Sequence, residues 1–372
     1  MTSYLFLFGK TPELSWLELR SLYSQARLIS PLVAFVEAVL DPIAVMRQLG
    51  GTVKIAKVVG TVTEISVKTL VPLLTKEKRS NHITFGVSRY DTNEPISKGL
   101  LADIKNQLEL TGIGARFVEA RADSRLGSVI IAKQDVVDLV ITREKKTYLI
   151  ARTIAVQLFE EWNRRDYGRP NADPKSGMLP PKVARMLVNI ALRQAQGKPI
   201  LLDPFCGMGT ILAEALLTGW AVLGSDQSSD VIKKVEENLR WLSREYPSIE
   251  SSLDLYVSDA THISQNVKPE SIDAIVTEPY MGPAKLKSPI KNIIKGLEKL
   301  YIGCLKDWHG VLKTGGKIVM AIPKYSINNK TYFVKKVIDS CEMLGYTTIA
   351  GPIEYSRPQA VVRRQFYILQ KK

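Results

Sequence analysis

The stretch PILLDPFCGMGTILAEALLTG, residues 199–219, decides the fold class of this chain. An apolar segment ends at Asp203, a loop with Gly207 and Gly209 follows, and a helix opens at Thr210. Glycines let the backbone of such a loop approach a ligand closely, beside the N-terminus of a helix. Doubly wound sheets bind ligands at this carboxyl edge of their strands. The stretch therefore predicts a ligand-binding loop, with a dinucleotide oxidoreductase site or a structural turn as the alternatives.

The rest of the C-terminal half alternates apolar strands with helices around this loop. Seven strands are predicted, at 199–203, 221–226, 253–260, 272–279, 316–323, 346–355 and 363–370. Helices lie between them, including a long one near 291–310, and the last two strands are joined by a short loop. This alternation predicts an α/β, doubly wound sheet that ends in an antiparallel edge hairpin.

The N-terminal half predicts smaller mixed α and β units in which nothing looks catalytic. The predicted strands lie at 4–9, 32–40, 54–62, 82–91, 115–120, 128–134 and 136–157, with helices at 12–26 and 97–112. Residues 160–181 are rich in Pro, Gly, Asn and Arg, which predicts a loop and the domain junction.

The charge of the chain suits a polyanionic partner. Its 372 residues carry a net charge of +14, of which +6 falls in residues 1–165 and +8 in residues 166–372. A surplus spread over both halves fits a long nucleic-acid footprint shared between domains, although a merely solvated basic surface would give the same count.

Cysteines, histidines and apolar runs limit the class of protein further. The three cysteines, Cys206, Cys304 and Cys341, and the three histidines are far apart, so we expect neither a disulfide framework nor a structural metal site. No signal peptide or membrane span is predicted, and a reducing cytosol is the expected compartment.

Two acidic residues follow the ligand-binding loop at the ends of the next two predicted strands. Asp226, about twenty residues after the loop, could bind the ribose hydroxyls of a nucleoside-containing cofactor, or could cap the next helix. Asp259 could accept a hydrogen bond from an adenine amino group, or could cap a turn.

The segment TEPYMGP, residues 277–283, has the residue types needed to recognise an amino group. Glu278 and a fixed backbone carbonyl can accept hydrogen bonds from an –NH2 group, which localises the nitrogen lone pair and aims it at a sulfonium methyl. Tyr280 can stack on a base. Orientation of two bound reactants would supply much of the catalysis, without a metal. An ordinary strand-to-loop turn is the alternative.

The glycine loop, Asp226, Asp259 and the segment 277–283 occur in the order typical of one family. In this order they resemble the class I methyltransferases that act on amino groups. The segments WNRRDYGRPNADPKSGMLPPKVARMLVNIA (162–191) and YLFLFGKTPELSWLELRSL (4–22) resemble the THUMP-domain tRNA guanine-N2 methyltransferases. The resemblance implies a ferredoxin-like domain at 1–60, a THUMP RNA-binding domain at 61–158, a linker at 159–181 and a Rossmann-like methyltransferase domain at 182–372.

The same resemblance implies S-adenosylmethionine as methyl donor and the N2 amino group of a tRNA guanosine, typically at position 10, as acceptor. It implies a cytoplasmic protein with no metal and no membrane, and a monomer is the expected form. The cofactor-binding residues would be Asp203, Phe205, Gly207, Gly209, Thr210, Asp226 (ribose) and Asp259 (adenine), with Ser176, Gly177, Met178, Leu179 and Pro180 closing over the methionine end. Glu278, Pro279 and Tyr280 would hold the base.

One departure from the family pattern concerns the base-binding segment. The usual form is Thr-Asp-Pro-Pro-Tyr-Gly, whereas this chain has Thr-Glu-Pro-Tyr-Met-Gly, so Glu278 replaces an aspartate and Tyr280 stands at the second proline. The extra methylene moves the acceptor by roughly 1.5 Å. An amino-group methyltransferase acting on rRNA or DNA, at adenine N6, cytosine N4 or guanine N2, and an inactive RNA-binding homologue remain alternatives. The intact cofactor loop counts against the inactive form, and the absence of a helix-turn-helix pattern counts against DNA.

Overall fold

The computed structural model describes residues 1–77, 81–120, 123–173, 178–192, 197–249, 252–283, 288–327, 330–356 and 362–372. The chain divides into two compact units, Met1–Glu161 and Trp162–Lys372. Across the described residues, each unit contains one eight-stranded sheet flanked by helices. No helix within these ranges is long and apolar enough to cross a membrane.

The first unit has a mixed sheet with the strand order β2-β3-β1-β4-β8-β7-β5-β6. Its elements are β1 (Thr2–Phe8), α1 (Pro12–Leu22), β2 (Arg27–Ser30), β3 (Val33–Ala38), α2 (Pro42–Gln48), β4 (Thr52–Val62), α3 (Val67–Lys76), β5 (His82–Arg89), α4 (Lys98–Leu110), β6 (Gly114–Val118), α5 (Ser128–Lys133), β7 (Val137–Glu144) and β8 (Thr147–Val156). β4 is hydrogen-bonded to β1 on one side and to β8 on the other. The proposed division between residues 60 and 61 falls inside β4, and it stays a prediction.

Two predictions of local structure were wrong in this part of the chain. Residues 128–134, predicted as a strand, form helix α5, with the N–H groups of Ile130 and Ile131 bonded to the carbonyl of Gly127. A short apolar run fits both periods, so tertiary packing decides between helix and strand. The predicted loop at 160–181 contains most of helix α6 (Phe159–Tyr167). Its sequence is polar and gave no sign of a buried face, although Trp162 and Arg165 are buried.

The second unit contains the predicted doubly wound sheet, with the strand order β11-β10-β9-β12-β13-β16-β15. Its elements are α7 (Pro181–Ala191), β9 (Ile200–Asp203), α8 (Thr210–Leu216), β10 (Ala221–Asp226), α9 (Ser229–Glu245), β11 (Leu253–Val257), a 3-10 turn (Ile263–Gln265), β12 (Ile272–Thr277), α10 (Ile290–Val311), β13 (Leu312–Ile327), β14 (Lys330–Phe333), α11 (Lys335–Ser340), β15 (Tyr346–Tyr355) and β16 (Val362–Lys371). The antiparallel pair β15–β16 is confirmed, with β16 inserted beside β13 and β15 at the edge. The short strand β14, which pairs with β13, was not predicted.

The core of the second unit fixes the carboxyl ends of its parallel strands. Every residue of β12 is buried, and the α10 side chains Tyr301 and Trp308 pack in the same core. The indole N–H of Trp308 donates to the carbonyl of Ala260, 2.9 Å away, just beyond β11. β9 lies between β10 and β12 and is parallel to both, so the chain leaves these strands at one edge of the sheet. Doubly wound folds bind ligands at such an edge.

Candidate active site

A single buried carboxyl connects the two predicted motifs. Asp203, at the end of β9, is only 1% exposed. Its Oδ1 accepts a hydrogen bond from the hydroxyl of Thr277 at the end of β12 (2.7 Å) and one from the N–H of Phe205 (3.2 Å). Burial raises the pKa of Asp203 to about 7, although both hydrogen bonds oppose that shift. The loop after β9 and the segment after β12 are therefore held together by one side chain.

The loop after Asp203 has the tight form that its glycines predict. Gly207 and Gly209 have φ angles of +48° and +79°, in the left-handed region. The N–H of Cys206 donates to the carbonyl of Ser225 on β10 (2.9 Å), and a Cβ on Gly209 would lie 3.1 Å from Val235 on α9. The loop thus runs close beside β10 and α9, immediately before the N-terminus of α8.

The side chains of Phe205 and Thr210, the other predicted loop residues, contact α10 and the segment before α7, respectively. The Phe205 ring packs edge-on against Trp308, with ring centroids 6.4 Å apart. The Thr210 hydroxyl accepts a hydrogen bond from Arg169 Nη1 at 2.7 Å. Both residues help to fix the loop, while any direct contact with a cofactor remains a prediction.

Asp226 and Asp259 stand at the ends of neighbouring strands on the same edge. Asp226 ends β10, and its Oδ1 accepts the N–H of Ser228 at 3.0 Å. Ser228 is itself the N-cap of α9, so Asp226 fixes the turn before the helix rather than capping it. Asp259 follows β11 by two residues and is exposed. Its Oδ1 accepts both the N–H and the hydroxyl of Thr261, each at 2.8 Å, and these hydrogen bonds lower the pKa of Asp259. A carboxylate has about four lone-pair sites, so these hydrogen bonds leave room for ligand binding.

The segment Glu278-Pro279-Tyr280 leaves β12 with its backbone fixed from two elements. The hydroxyl of Tyr301 on α10 donates a hydrogen bond to the carbonyl of Tyr280 at 2.7 Å. The hydroxyl of Tyr325 on β13 donates one to the carbonyl of Met281. Pro279 is buried, whereas the side chain of Tyr280 is 55% exposed. An exposed ring on a fixed backbone is suited to stacking on a planar ligand.

Gly282 completes this turn with a φ angle of +94°. A Cβ at this position would collide with the hydroxyl of Tyr325, so only glycine fits. The turn therefore depends on its contact with β13 as much as on its own sequence.

Arg364 on β16 forms an ion pair with Glu278 that the sequence did not reveal. The Nε to Oε1 distance is 2.5 Å, and the two side chains are 15% and 17% exposed. Arg364 lies 86 positions after Glu278, and only the antiparallel pairing of β13 with β16 brings it to this edge. No local motif could have indicated it.

The segment before α7 lies directly against the glycine loop. The side-chain amide of Asn238 on α9 donates to the carbonyls of Met208 and Asn171, each at 3.0 Å, and its oxygen accepts the N–H of Asn171 at 2.8 Å. Arg169 reaches Thr210 from the same segment. Asn238 was missed, because a single Asn within a helical pattern carries no positional signal.

A buried ion cluster joins the helices behind the loop. Glu214 on α8 pairs with Arg165 on α6 at 2.8 Å and with Arg185 on α7 at 2.7 Å, and all three side chains are at most 6% exposed. The guanidinium of Arg165 also lies 4.1 Å from the ring centre of Trp162. Paired in this way, the charges hold α6 and α7 against α8 within the second unit.

The residues expected to close over a methionine end are only partly placed. Ser176 and Gly177 lie outside the described residues. Leu179 is 4% exposed, Pro180 precedes the first turn of α7, and the sulfur of Met178 lies 3.2 Å from the N–H of Asp173. Their role toward a cofactor remains a prediction. Among the residues that the structure describes, no group of His, Cys, Asp and Glu could hold a metal ion.

Comparisons with known proteins place this site in a family. Residues 169–342 match the family model UPF0020, described as an RMKL-like methyltransferase domain. The chain is 32% identical over 120 residues to a probable tRNA (guanine(10)-N2)-dimethyltransferase of Methanothermococcus thermolithotrophicus, an alignment that covers 70% of that relative and 31% of this chain. The chain belongs to the tRNA guanine-N2 methyltransferase family.

A longer curated relative in this family gives a more extended match. The chain is 35% identical to the tRNA (guanine(10)-N2)-dimethyltransferase of Methanothermobacter thermautotrophicus over 179 residues. This alignment covers 48% of each of the two chains. The chain thus spans about half the length of this relative in the alignment. The crystal structure of TrmN from Thermus thermophilus matches the whole of both chains with a TM-score of 0.56 and 15% identity, which shows a shared fold.

Proposed function

We propose that this member of the tRNA guanine-N2 methyltransferase family transfers a methyl group from S-adenosylmethionine to the exocyclic N2 of a guanosine in tRNA, with position 10 as the expected site. The observation that carries the proposal is the buried bond between Asp203 and Thr277, which joins the glycine loop to the segment beginning at Glu278. Donor and acceptor sites would thereby meet at one edge of the sheet. The names of the curated relatives support the choice of guanine N2.

The residues around the glycine loop fit the proposed donor. Gly207 and Gly209 keep the backbone bare beside the N-terminus of α8, and the carboxylates of Asp226 and Asp259 stand at the ends of the next two strands. These acids suit ribose hydroxyls and an adenine amino group, respectively. When bound, S-adenosylmethionine supplies an electrophilic methyl group on a sulfonium.

Glu278 and Tyr280 would prepare the acceptor. The Glu278 carboxylate can accept a hydrogen bond from the guanine amino group, which makes the nitrogen lone pair more available. The exposed Tyr280 ring would stack on the base and hold it in the plane that the transfer requires. Arg364 would fix the carboxylate of Glu278, whose side chain is one methylene longer than the aspartate usual in the family.

The first unit and the net charge of +14 support RNA as the substrate class. We propose that the part of this unit at 61–158 is a THUMP domain that binds the tRNA, and that the enzyme works in the cytoplasm as a monomer. Shape and single-stranded ends are the usual features by which proteins recognise RNA.

The experiment that tests the proposal is transfer of labelled methyl from S-adenosylmethionine to an unmodified tRNA transcript, followed by nucleoside analysis. We expect N2-methylguanosine, and no label in a matched transcript that has adenosine at position 10. Label in that control transcript would move the target to another position. Bound cofactor without any labelled tRNA would contradict the proposal, and rRNA and DNA substrates would then be tested.

A further inference from the structure

A groove in the second unit, outside the site described above, has the chemistry of a nucleic-acid surface. It lies between the N-terminal half of α10 and the segment formed by β14 and α11, and its volume is about 360 Å³. The side chains that matter here are Lys291, Lys295 and Glu298 on α10, Tyr332 and Phe333 on β14, and Lys336 on α11. We refer to it as the α10–β14 groove.

The groove is positively charged. Lys291 and Lys295 are exposed one helical turn apart, and Lys336 faces the same space from α11. None of the three lysines forms an ion pair with any residue in the described part of the chain. The carboxylate of Glu298 accepts the backbone N–H of Lys336 at 3.2 Å. Like charges held one turn apart repel each other, so an anionic ligand between the two walls would be stabilising.

Aromatic rings lie among these lysines. Phe333 is 42% exposed, and Tyr332 beside it is half-buried. Lysines interleaved with accessible rings match the pattern by which proteins hold single-stranded nucleic acid, with cations at phosphates and rings under bases. An acidic peptide would use the lysines but would not need the rings.

Residues next to the lining of both walls approach the segment Glu278–Gly282. Tyr325, which donates its hydroxyl to the carbonyl of Met281, is the cross-strand partner of Tyr332. On the other wall, a Cβ built on Gly282 would lie 3.5 Å from Ile293 of α10. The groove is therefore linked to the segment Glu278–Gly282 through one further residue on each wall, Tyr325 beside Tyr332 and Ile293 beside Ile294. RNA that presents a base to Tyr280 would then bring nearby nucleotides towards the groove.

We propose that the α10–β14 groove binds the RNA backbone and one unstacked base next to the target guanosine. Lys291, Lys295 and Lys336 would contact phosphates, and Phe333 would stack on the base. This surface would be a second RNA contact, within the catalytic unit itself. The proposal rests on the proposed function for the identity of the RNA.

The test uses the full chain and an unmodified tRNA transcript, with binding measured between 0.05 and about 0.3 M salt. The variant Lys295→Ala/Lys336→Ala removes one charge from each wall of the groove. Its matched control, Lys268→Ala/Lys306→Ala, removes two exposed lysines elsewhere in the unit. Affinity falls as salt rises, and each phosphate contact contributes roughly 0.7 to 0.9 to the steepness of log affinity against log salt. We therefore expect the groove variant, which loses two contacts, to make this slope shallower by about 1.4 to 1.8. The control should change the slope by much less.

A second variant separates stacking from charge. Phe333→Ala should weaken tRNA binding by about fivefold or more and leave the salt slope unchanged, because base stacking on an aromatic ring is not a counterion effect. S-adenosylmethionine affinity and thermal unfolding should match the wild type in all three variants, which checks the fold and the donor site.

The outcomes distinguish this proposal from the proposed function. Equal salt slopes in the groove variant and its control overturn the groove, even if the wild type forms N2-methylguanosine. A groove-dependent slope in a chain that forms no N2-methylguanosine supports the groove and overturns the proposed function. Failure of the wild type to bind the transcript at any salt concentration overturns the groove proposal directly.

Discussion

Asp203 is the residue on which the two halves of the candidate site depend. Its carboxyl is buried, and it accepts hydrogen bonds from Thr277 and Phe205. A buried carboxyl avoids ionisation, because the charged form loses its hydration. The buried position in which Asp203 joins the two motifs therefore also makes the stability of this unit sensitive to pH.

We predict that Asp203→Asn removes a pH dependence from the stability of the protein. Burial raises the pKa of Asp203 from 3.8 to about 7, so the folded state holds a proton that the unfolded state releases. This contribution to stability is complete below about pH 4 and is lost as the pH rises through about 7. The loss by pH 8 is on the order of 4 kcal/mol in the wild type and absent in the variant. Urea unfolding of both proteins at pH 4.5 and 8, without cofactor, measures the difference, and parallel pH curves would contradict it.

Arg364 gives a second prediction at the residue scale. Arg364→Gln should lower kcat by about 10- to 100-fold, with little change in the affinity for S-adenosylmethionine, because the Glu278 carboxylate loses the partner that orients it. Arg364→Lys should restore part of kcat. Its neighbour Arg363 pairs instead with the partly exposed Glu354, so Arg363→Gln is the matched control. Equal kcat values for Arg364→Gln and the control would remove Arg364 from the site.

A substitution at Asp226 tests the proposed binding site for the methyl donor. Asp226→Ala should weaken S-adenosylmethionine binding by about tenfold, since ribose hydroxyls lose a charged acceptor worth roughly 1.5 kcal/mol. The variant also loses the Ser228 contact before α9, so its unfolding must be measured beside its affinity. Asp230→Ala, in the exposed first turn of α9, is the control for lost charge at that helix. Calorimetric titration measures the affinity, and an unchanged affinity in Asp226→Ala would show that the residue only fixes the turn before α9.

At the scale of elements, the helices before the sheet are joined to it through Glu214. α6, α7 and α8 meet at this carboxylate, which pairs with Arg165 and Arg185. Breaking a buried ion cluster by removing one partner costs more than the cluster contributes, because the remaining charges stay buried.

We therefore predict that Glu214→Gln destabilises the protein by about 3 to 5 kcal/mol. Glu236→Gln is the matched control. Its exposed pair with Arg240 on α9 contributes only about 0.3 to 0.5 kcal/mol. The change in unfolding free energy from denaturant titration measures both. A Glu214→Gln variant as stable as the control would mean that the two arginines find water or other partners.

At the scale of the whole molecule, charge is spread over two units that each contain their own sheet. The proposed RNA-binding part lies in the first unit, whereas the α10–β14 groove lies in the second. The net charge alone could not separate these surfaces, because it counts solvated lysines and ligand-binding lysines equally.

Local sequence patterns were enough to predict the doubly wound sheet, its closing hairpin and the glycine loop. These features depend on local patterns: apolar runs, turn residues and glycines that adopt positive φ. The sequence also placed Asp203, Asp226 and Thr277–Tyr280 at strand ends, because the carboxyl ends of parallel strands share one edge. By contrast, residues 128–134 carried no decisive period, and their helix was missed.

The contacts of these residues, by contrast, depend on how distant elements pack together. The pair of Arg364 with Glu278 requires β16 to lie beside β13, and Asn238 meets Met208 only because α9 packs on the loop. Such contacts join residues tens of positions apart, and their geometry follows from strand register and helix packing rather than from any local pattern. Helices and strands follow from the residue pattern of short segments, so they can be predicted locally. The pairing of distant side chains is fixed only when the whole core is packed.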